Sequence, residues 1–170
     1  MTLLVIGGSG SGKSAWAERV IAKVPQEKRY YIATMQASDG ESEARVRLHR
    51  CQRASLGFET IECPRDIGSL CLPLGCAALL EDVPNLLANE MFGGDWERIM
   101  PGIEKLARQC GLLVLVTGNV FCDGIRYDAA TQDYIQRLAQ INSALAALAD
   151  AVTEVVYSIP VALKGALPCD

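Results

Sequence analysis

Short apolar runs alternate along this chain with stretches whose apolar residues recur at helical spacing. Thr2-Leu3-Leu4-Val5-Ile6 reads as an opening strand, and residues 15–23 follow with the pattern of an amphipathic helix. Pro25 breaks that helix, after which residues 29–33 predict a second strand and residues 34–40 a loop at its carboxyl end. Residues 41–53 predict a helix, 59–62 a short strand, and 64–71 a weak helix. Residues 77–82 predict a buried strand that ends in Glu81 and Asp82, and 84–91 a helix before the Gly93-Gly94 turn. A helix over 96–110, interrupted early by Pro101-Gly102, leads to the clearest core strand, 112–117. Residues 118–127 read as a loop. Leu138, Ile141, Leu145 and Leu148 share one helical face and predict the longest helix, over 129–149. Residues 152–157 and 161–164 predict closing strands. Such alternation is the signature of βαβ units, hence an α/β fold with a mostly parallel sheet. No repeat or linker divides the 170 residues, which suit one domain spanning 1–170.

Between the first strand and the first helix lies Gly7-Gly8-Ser9-Gly10-Ser11-Gly12-Lys13-Ser14. Strand, glycine-rich loop, Lys-Ser and helix is the context that a phosphate-binding loop requires. Glycines let main-chain N–H groups curl around phosphate oxygens with no Cβ in the way. The helix N-terminus adds its positive end to the same anion. Lys13 supplies a charge for the outer phosphates, a catalytic as well as a binding role, and the Ser14 hydroxyl suits Mg²⁺. The loop predicts a nucleotide-binding protein.

Composition narrows the partners. A net charge of −4 gives no support for broad attraction to nucleic acid or anionic lipid. No apolar run approaches the ~20 residues of a membrane helix, and the N-terminus lacks the basic start of a signal peptide. The 7 cysteines contain no C-x-x-C pair, so reduced thiols and a cytoplasmic setting are expected.

A phosphate loop calls for a metal-binding carboxylate at the end of a nearby strand, and Glu81 and Asp82 meet that requirement. Being adjacent on a strand they point to opposite faces, so one of them is expected at the phosphates. His49, the only histidine, sits among Arg45, Arg47, Arg50 and Arg53. At i, i+4 and i+8, Arg45, His49 and Arg53 share a helix face. Guanidinium groups around an imidazole lower its proton affinity, leaving a neutral nitrogen as a candidate nucleophile, and themselves grip phosphate oxygens. A solvated basic helix with an incidental histidine has the same pattern.

Together these residues resemble the bifunctional adenosylcobinamide kinase/adenosylcobinamide-phosphate guanylyltransferase family of cobalamin assembly. The likeness is carried by Gly7–Ser14, by Tyr31-Ile32-Ala33-Thr34-Met35-Gln36, and by Arg45-Val46-Arg47-Leu48-His49-Arg50-Cys51-Gln52-Arg53. Glu62-Cys63, Leu79-Leu80-Glu81 with Asn85 or Asn89, and Leu138-Ala139-Gln140-Ile141-Asn142 add to it. The resemblance implies a three-layer RecA-like phosphate-loop fold and a homotrimer. It implies that His49 takes GMP from GTP and passes it to adenosylcobinamide phosphate, and that adenosylcobinamide is phosphorylated with ATP or GTP at the same site. It assigns Ala33, Thr34, Met35, Arg50, Cys51, Gln52, Arg53, Glu62 and Glu81 to the nucleotide site, with Ser14 and Glu81 on the metal. After Thr117, where the family has Asn-Glu-Val-Gly, this chain has Gly118-Asn119-Val120-Phe121, and Thr131-Gln132-Asp133-Tyr134 replaces an arginine-rich helix start. A phosphate-loop kinase of another small molecule, or a nucleotide-binding regulatory protein without catalysis, would share the loop.

Overall fold

The computed structural model describes residues 1–36, 56–119 and 127–166. Its strands are β1 (Thr2–Ile6), β2 (Arg29–Ala33), β3 (Phe58–Glu62), β4 (Ala77–Glu81), β5 (Leu112–Val116), β6 (Ala151–Val156) and β7 (Ile159–Lys164). They form one 7-stranded sheet in the order β3-β2-β4-β5-β1-β6-β7. Pairings from β3 through β6 are parallel, and β7 joins β6 antiparallel through a tight turn. The helices are α1 (Lys13–Ala22), α2 (Val83–Gly93), α3 (Ile99–Gln109) and α4 (Ala129–Leu148).

Parallel strands buried on both faces need apolar residues at every position, which explains the uninterrupted runs in β1, β4 and β5. On one face Leu3, Val5, Leu79, Val114 and Val116 pack against Trp16, Ala17 and Ile21 of α1. On the other, Leu4, Leu80, Leu113 and Leu115 meet Leu86, Leu87, Ile103, Leu106, Leu138, Ile141 and Leu145 of α2 to α4. Helix, sheet and helices make the expected three layers.

Helix ends follow local chemistry. Asp82 caps α2 by accepting from Asn85 N–H, and Asp128 caps α4 by accepting from Thr131 N–H. Pro101 lies in the first turn of α3, where a missing N–H costs nothing. The weak helix expected over 64–71 is only the 3₁₀ turn Ile67–Ser69, because Ile67 is its one buried side chain. The final strand begins at Ile159, ahead of the expected Val161, with Pro160 tolerated on an edge strand.

Buried Glu90 on α2 ties this side of the molecule together. Its Oε1 accepts from Asp66 N–H at 2.6 Å and its Oε2 from Asp95 N–H at 2.9 Å. The Gly93-Gly94 turn is built to fit it, since a Cβ on Gly94 would meet Glu90 Oε2 at 1.8 Å. Glu90→Ala is expected to destabilise the protein by about 2–3 kcal/mol, because two partly buried N–H groups lose a charged acceptor. Urea denaturation checks this as a lower midpoint at unchanged slope.

Candidate nucleotide site

The carboxyl ends of β1, β2, β4 and β5 share one edge of the sheet, the edge at which open α/β sheets bind ligands. The loop from Gly7 to Gly12 leaves β1 there and turns directly into α1. A Cβ on Gly7 would meet Ser11 Oγ at 2.4 Å and Val155 O at 2.7 Å, so glycine is required for the loop to close. Gly12 has φ +89°, a left-handed conformation that glycine adopts without penalty. As the N-cap of α1 it offers no capping side chain, and no acidic residue occupies the first turn. The orphan N–H groups of that turn therefore face a loop suited to an anion. Lys13 Nζ donates to Gly8 O at 3.2 Å, folding back over the loop.

Strand register brings the acidic residues to the same edge. Ala33 pairs with Glu81 on one side and Glu62 on the other, so the three lie in a row across β3, β2 and β4. Residues opposite one another on neighbouring strands present side chains to the same face. For Glu81 that is the α1 face, and the Ser14 hydroxyl donates to Glu81 Oε1. Asp82 turns away to accept from Asn85 N–H at 2.8 Å and Asn85 Nδ2 at 2.9 Å. The two adjacent acids thus part as a strand requires: Glu81 meets the phosphate loop, and Asp82 caps a helix.

Burial pushes the Glu81 carboxyl up to about 7, with Asp82 adding to the rise and the Ser14 hydroxyl and Lys13 opposing it. Burial likewise raises Asp82. Among the described residues, buried Glu81 Oε2 and Ser11 Oγ have no hydrogen-bond partner. The Ser14 hydroxyl and the Glu81 carboxylate beside it, whose Oε2 keeps a free lone-pair set, form a hard-oxygen pair that fits Mg²⁺ completed by phosphate and water.

Thr34, wholly buried, fixes the edge next to Glu81. Its hydroxyl donates to Asp82 O (2.8 Å), with Glu81 O at 3.0 Å, and accepts from Asp82 N–H at 2.8 Å. Asn89 of α2 then spends both carboxamide protons on main chain, on Thr34 O at 2.8 Å and Pro64 O at 3.0 Å. This clamp joins the exits of β2 and β3 to the helix that follows β4. Nothing local in the sequence signals it, since its partners lie far apart in the chain. Thr117, after β5, is also buried and donates to Asn142 Oδ1 at 2.7 Å, holding the start of the 118–127 segment to α4.

Of the residues expected at the site, Gly7 to Ser14, Ala33, Thr34, Glu62 and Glu81 gather on this edge, and Met35 follows them, exposed. His49, Arg50, Cys51, Gln52 and Arg53 lie outside the described residues. Ser158, which the sequence reading passed over, touches the loop: its N–H donates to Ser11 O at 2.7 Å. Among the described residues no group of His, Cys, Asp and Glu side chains forms a metal cluster. No described helix is long and apolar enough to cross a membrane. Cys63, Cys71, Cys76 and Cys110 are free thiols.

Comparison with known proteins agrees with this architecture. The flagellar accessory protein FlaH from Methanocaldococcus jannaschii superposes with a TM-score of 0.52 at 8% identity, over 96% of this chain and 77% of that one, a likeness of fold alone. With the loop between β1 and α1, the sheet is a RecA-like phosphate-loop fold. In sequence the chain is 33% identical to the bifunctional adenosylcobalamin biosynthesis protein CobU of Salmonella typhimurium, covering 96% of this chain and 100% of that one. It is 29% identical to the bifunctional adenosylcobalamin biosynthesis protein CobP of Pseudomonas aeruginosa, over 95% of this chain and 96% of the relative. The family model for cobinamide kinase / cobinamide phosphate guanyltransferase matches residues 3–163. On these matches, the chain belongs to the cobinamide kinase / cobinamide phosphate guanyltransferase family.

Proposed function

We propose that this protein transfers GMP from GTP to adenosylcobinamide phosphate through a guanylyl group on His49, and phosphorylates adenosylcobinamide at the same phosphate loop. The observation that carries this reading is the Ser14–Glu81 pair at the mouth of a glycine-rich loop, in a chain matched to the family over residues 3–163. In the first half-reaction a His49 ring nitrogen attacks the α-phosphorus of GTP, and pyrophosphate leaves. In the second, a phosphate oxygen of the acceptor attacks the same phosphorus, the bond to His49 breaks, and adenosylcobinamide-GDP forms. Two displacements through one nucleophile predict ping-pong kinetics.

Lys13 neutralises the outer phosphates, and the N–H groups of the loop and α1 hold the rest. Ser14 and Glu81 are the residues that would hold Mg²⁺, which when bound supplies charge neutralisation for the phosphates. Residues 33–35, 50–53 and Glu62 line the nucleotide in this reading. The free thiols support a cytoplasmic protein. Ile159, Val161 and Leu163 alternate along the edge strand β7 and are all exposed, which supports association of copies, here a homotrimer.

Intact-protein mass spectrometry after incubation with GTP and Mg²⁺ tests the mechanism. A mass gain of one GMP is expected in the wild type and none in His49→Ala. Wild type that binds GTP yet gains no mass would overturn the guanylyl-histidine route and favour a plain kinase.

A further inference from the structure

We infer that the turn between β6 and β7 braces the phosphate loop in the shape that receives an anion, with Ser158 as the positioning residue at the contact. This rests on the loop binding the phosphates of a nucleotide, and it adds a support that lies outside the loop and far from it in sequence.

A glycine-rich loop is costly to order. Gly7, Gly8, Gly10 and Gly12 give it the freedom to wrap a phosphate, and that freedom is lost when one shape is fixed. Within the loop, Ser11 N–H and Lys13 Nζ both donate to Gly8 O, each at 3.2 Å. Further support comes from β6 and the turn after it. A Cβ on Gly7 would meet Val155 O at 2.7 Å, so the start of the loop lies against β6. At its end Ser158 N–H donates to Ser11 O at 2.7 Å. A Cβ on Gly12 would stand 2.5 Å from Ser158 Oγ and 3.3 Å from Ser158 Cα. The turn thus fills the side of Gly12 from which a side chain would project.

The polarity of the Ser158 bond fits an anion site. In such a loop the N–H groups face the ligand, and the carbonyl oxygens have to be engaged elsewhere. The Ser11–Gly12 peptide is trans, which points its C=O and its N–H in opposite directions. With Ser11 O held by Ser158, the Gly12 N–H is aimed away from the turn. Lys13 and Ser14 come next, so whatever fixes this peptide fixes where their side chains start. Ser158 therefore acts through Ser11 and Gly12.

The hairpin itself has no need of the contact. Val156 pairs with Ile159, and the ladder runs on to Val152 and Lys164. Yet Tyr157 and Ser158 take left-handed corners, at φ 49° and 66°, that Asn and Gly occupy with less strain. Strain of this kind persists where neighbouring structure holds it, and the neighbour at Ser158 is the phosphate loop.

Titration calorimetry with inorganic tripolyphosphate and with Mg·GTP, run well below the melting temperature, tests this on wild type, Ser158→Val, Ser158→Gly and Tyr157→Asn. Valine is β-branched and resists a left-handed corner, so it draws the turn off the loop. Glycine suits the corner and keeps the N–H, while asparagine at 157 alters the turn and leaves the Ser158 contact in place. The valine variant is expected to bind both ligands about tenfold more weakly, and the other two to stay within about twofold of wild type. Coupling is reciprocal, so an anion on the loop also tightens the brace. Amide exchange at Ser158 of the wild type, followed by NMR, is expected to slow about tenfold with tripolyphosphate. A folded valine variant that binds both ligands like wild type would overturn the proposal, and so would Ser158 exchange indifferent to tripolyphosphate. Weaker binding of GTP with tripolyphosphate unchanged would overturn it as well, because the loop would then have kept its shape. Wild type that binds neither ligand would instead overturn the phosphate-loop reading beneath it.

Discussion

Without nucleotide or divalent cation, Glu81→Gln is expected to gain on the wild type by about 2–3 kcal/mol between pH 5 and pH 8. The sign follows from where the proton sits. Burial raises the Glu81 carboxyl from its ordinary 4.5 to about 7 in the folded protein. Over that interval the folded state keeps a proton that the unfolded chain has released. The wild type therefore has its full contribution from this group below 4.5 and loses it as pH rises through about 7, above which the curve is flat. Glutamine has no proton to release, so the variant lacks the decline. At roughly 2–4 °C per kcal/mol, the shift between the two melting curves is about 5–10 °C, readable by calorimetry at a series of pH values. Parallel curves for wild type and variant would show that Glu81 is not the buried titrating group. The same substitution removes the carboxylate that the proposed function assigns to Mg²⁺, and transfer is expected to fall about 10²–10³-fold. A group that weakens the empty protein at neutral pH and is needed when it is loaded is the usual trade of stability for activity.

Leu79→Ala is expected to cost about 3–4 kcal/mol, a large part of the ~5–15 kcal/mol that holds a domain of this kind together. Leu79 is wholly buried in β4, between β2 and β5, on the face covered by Trp16, Ala17 and Ile21. A central strand flanked on both sides cannot shift to fill the void, so most of the cavity remains. The helix above that void is α1, which carries Lys13 and Ser14, and weaker nucleotide binding should accompany the lost stability. Chemical denaturation measures the first and titration calorimetry the second. A loss below about 1 kcal/mol would mean that α1 settles into the gap.

These two residues also show why some of the molecule was readable in the sequence and some was not. Leu79 belongs to an unbroken apolar run, and a strand buried on both faces leaves no other composition open to it. β1, β4, β5 and α4 were legible for such reasons, as was the parallel α/β class. The final turn was not: Tyr157-Ser158 carries neither glycine nor asparagine, so its left-handed corners leave no local signal. Helical character over 64–71 was overread from residues with no apolar stripe. At the site, Gly7 to Ser14 announces itself through neighbours in sequence. That Glu81 meets Ser14 while Asp82 caps a helix depends on register across separate strands, which no local pattern encodes. Asn89 and Glu90 escape for the same reason, since each serves main-chain groups distant in the chain.

The Asn89 clamp has a consequence for how this site can be altered. It grips Thr34 and Pro64 by their carbonyl oxygens, which every amino acid possesses. The shelf formed by the ends of β2 and β3 is thus held in place whatever side chains it displays. Met35 and Gln36, exposed just beyond it, are free to be exchanged without retuning the frame. A library varied at those positions, with Asn89 untouched, would sample new ligand contacts, those of Met35 to the nucleotide included, on an unmoved scaffold.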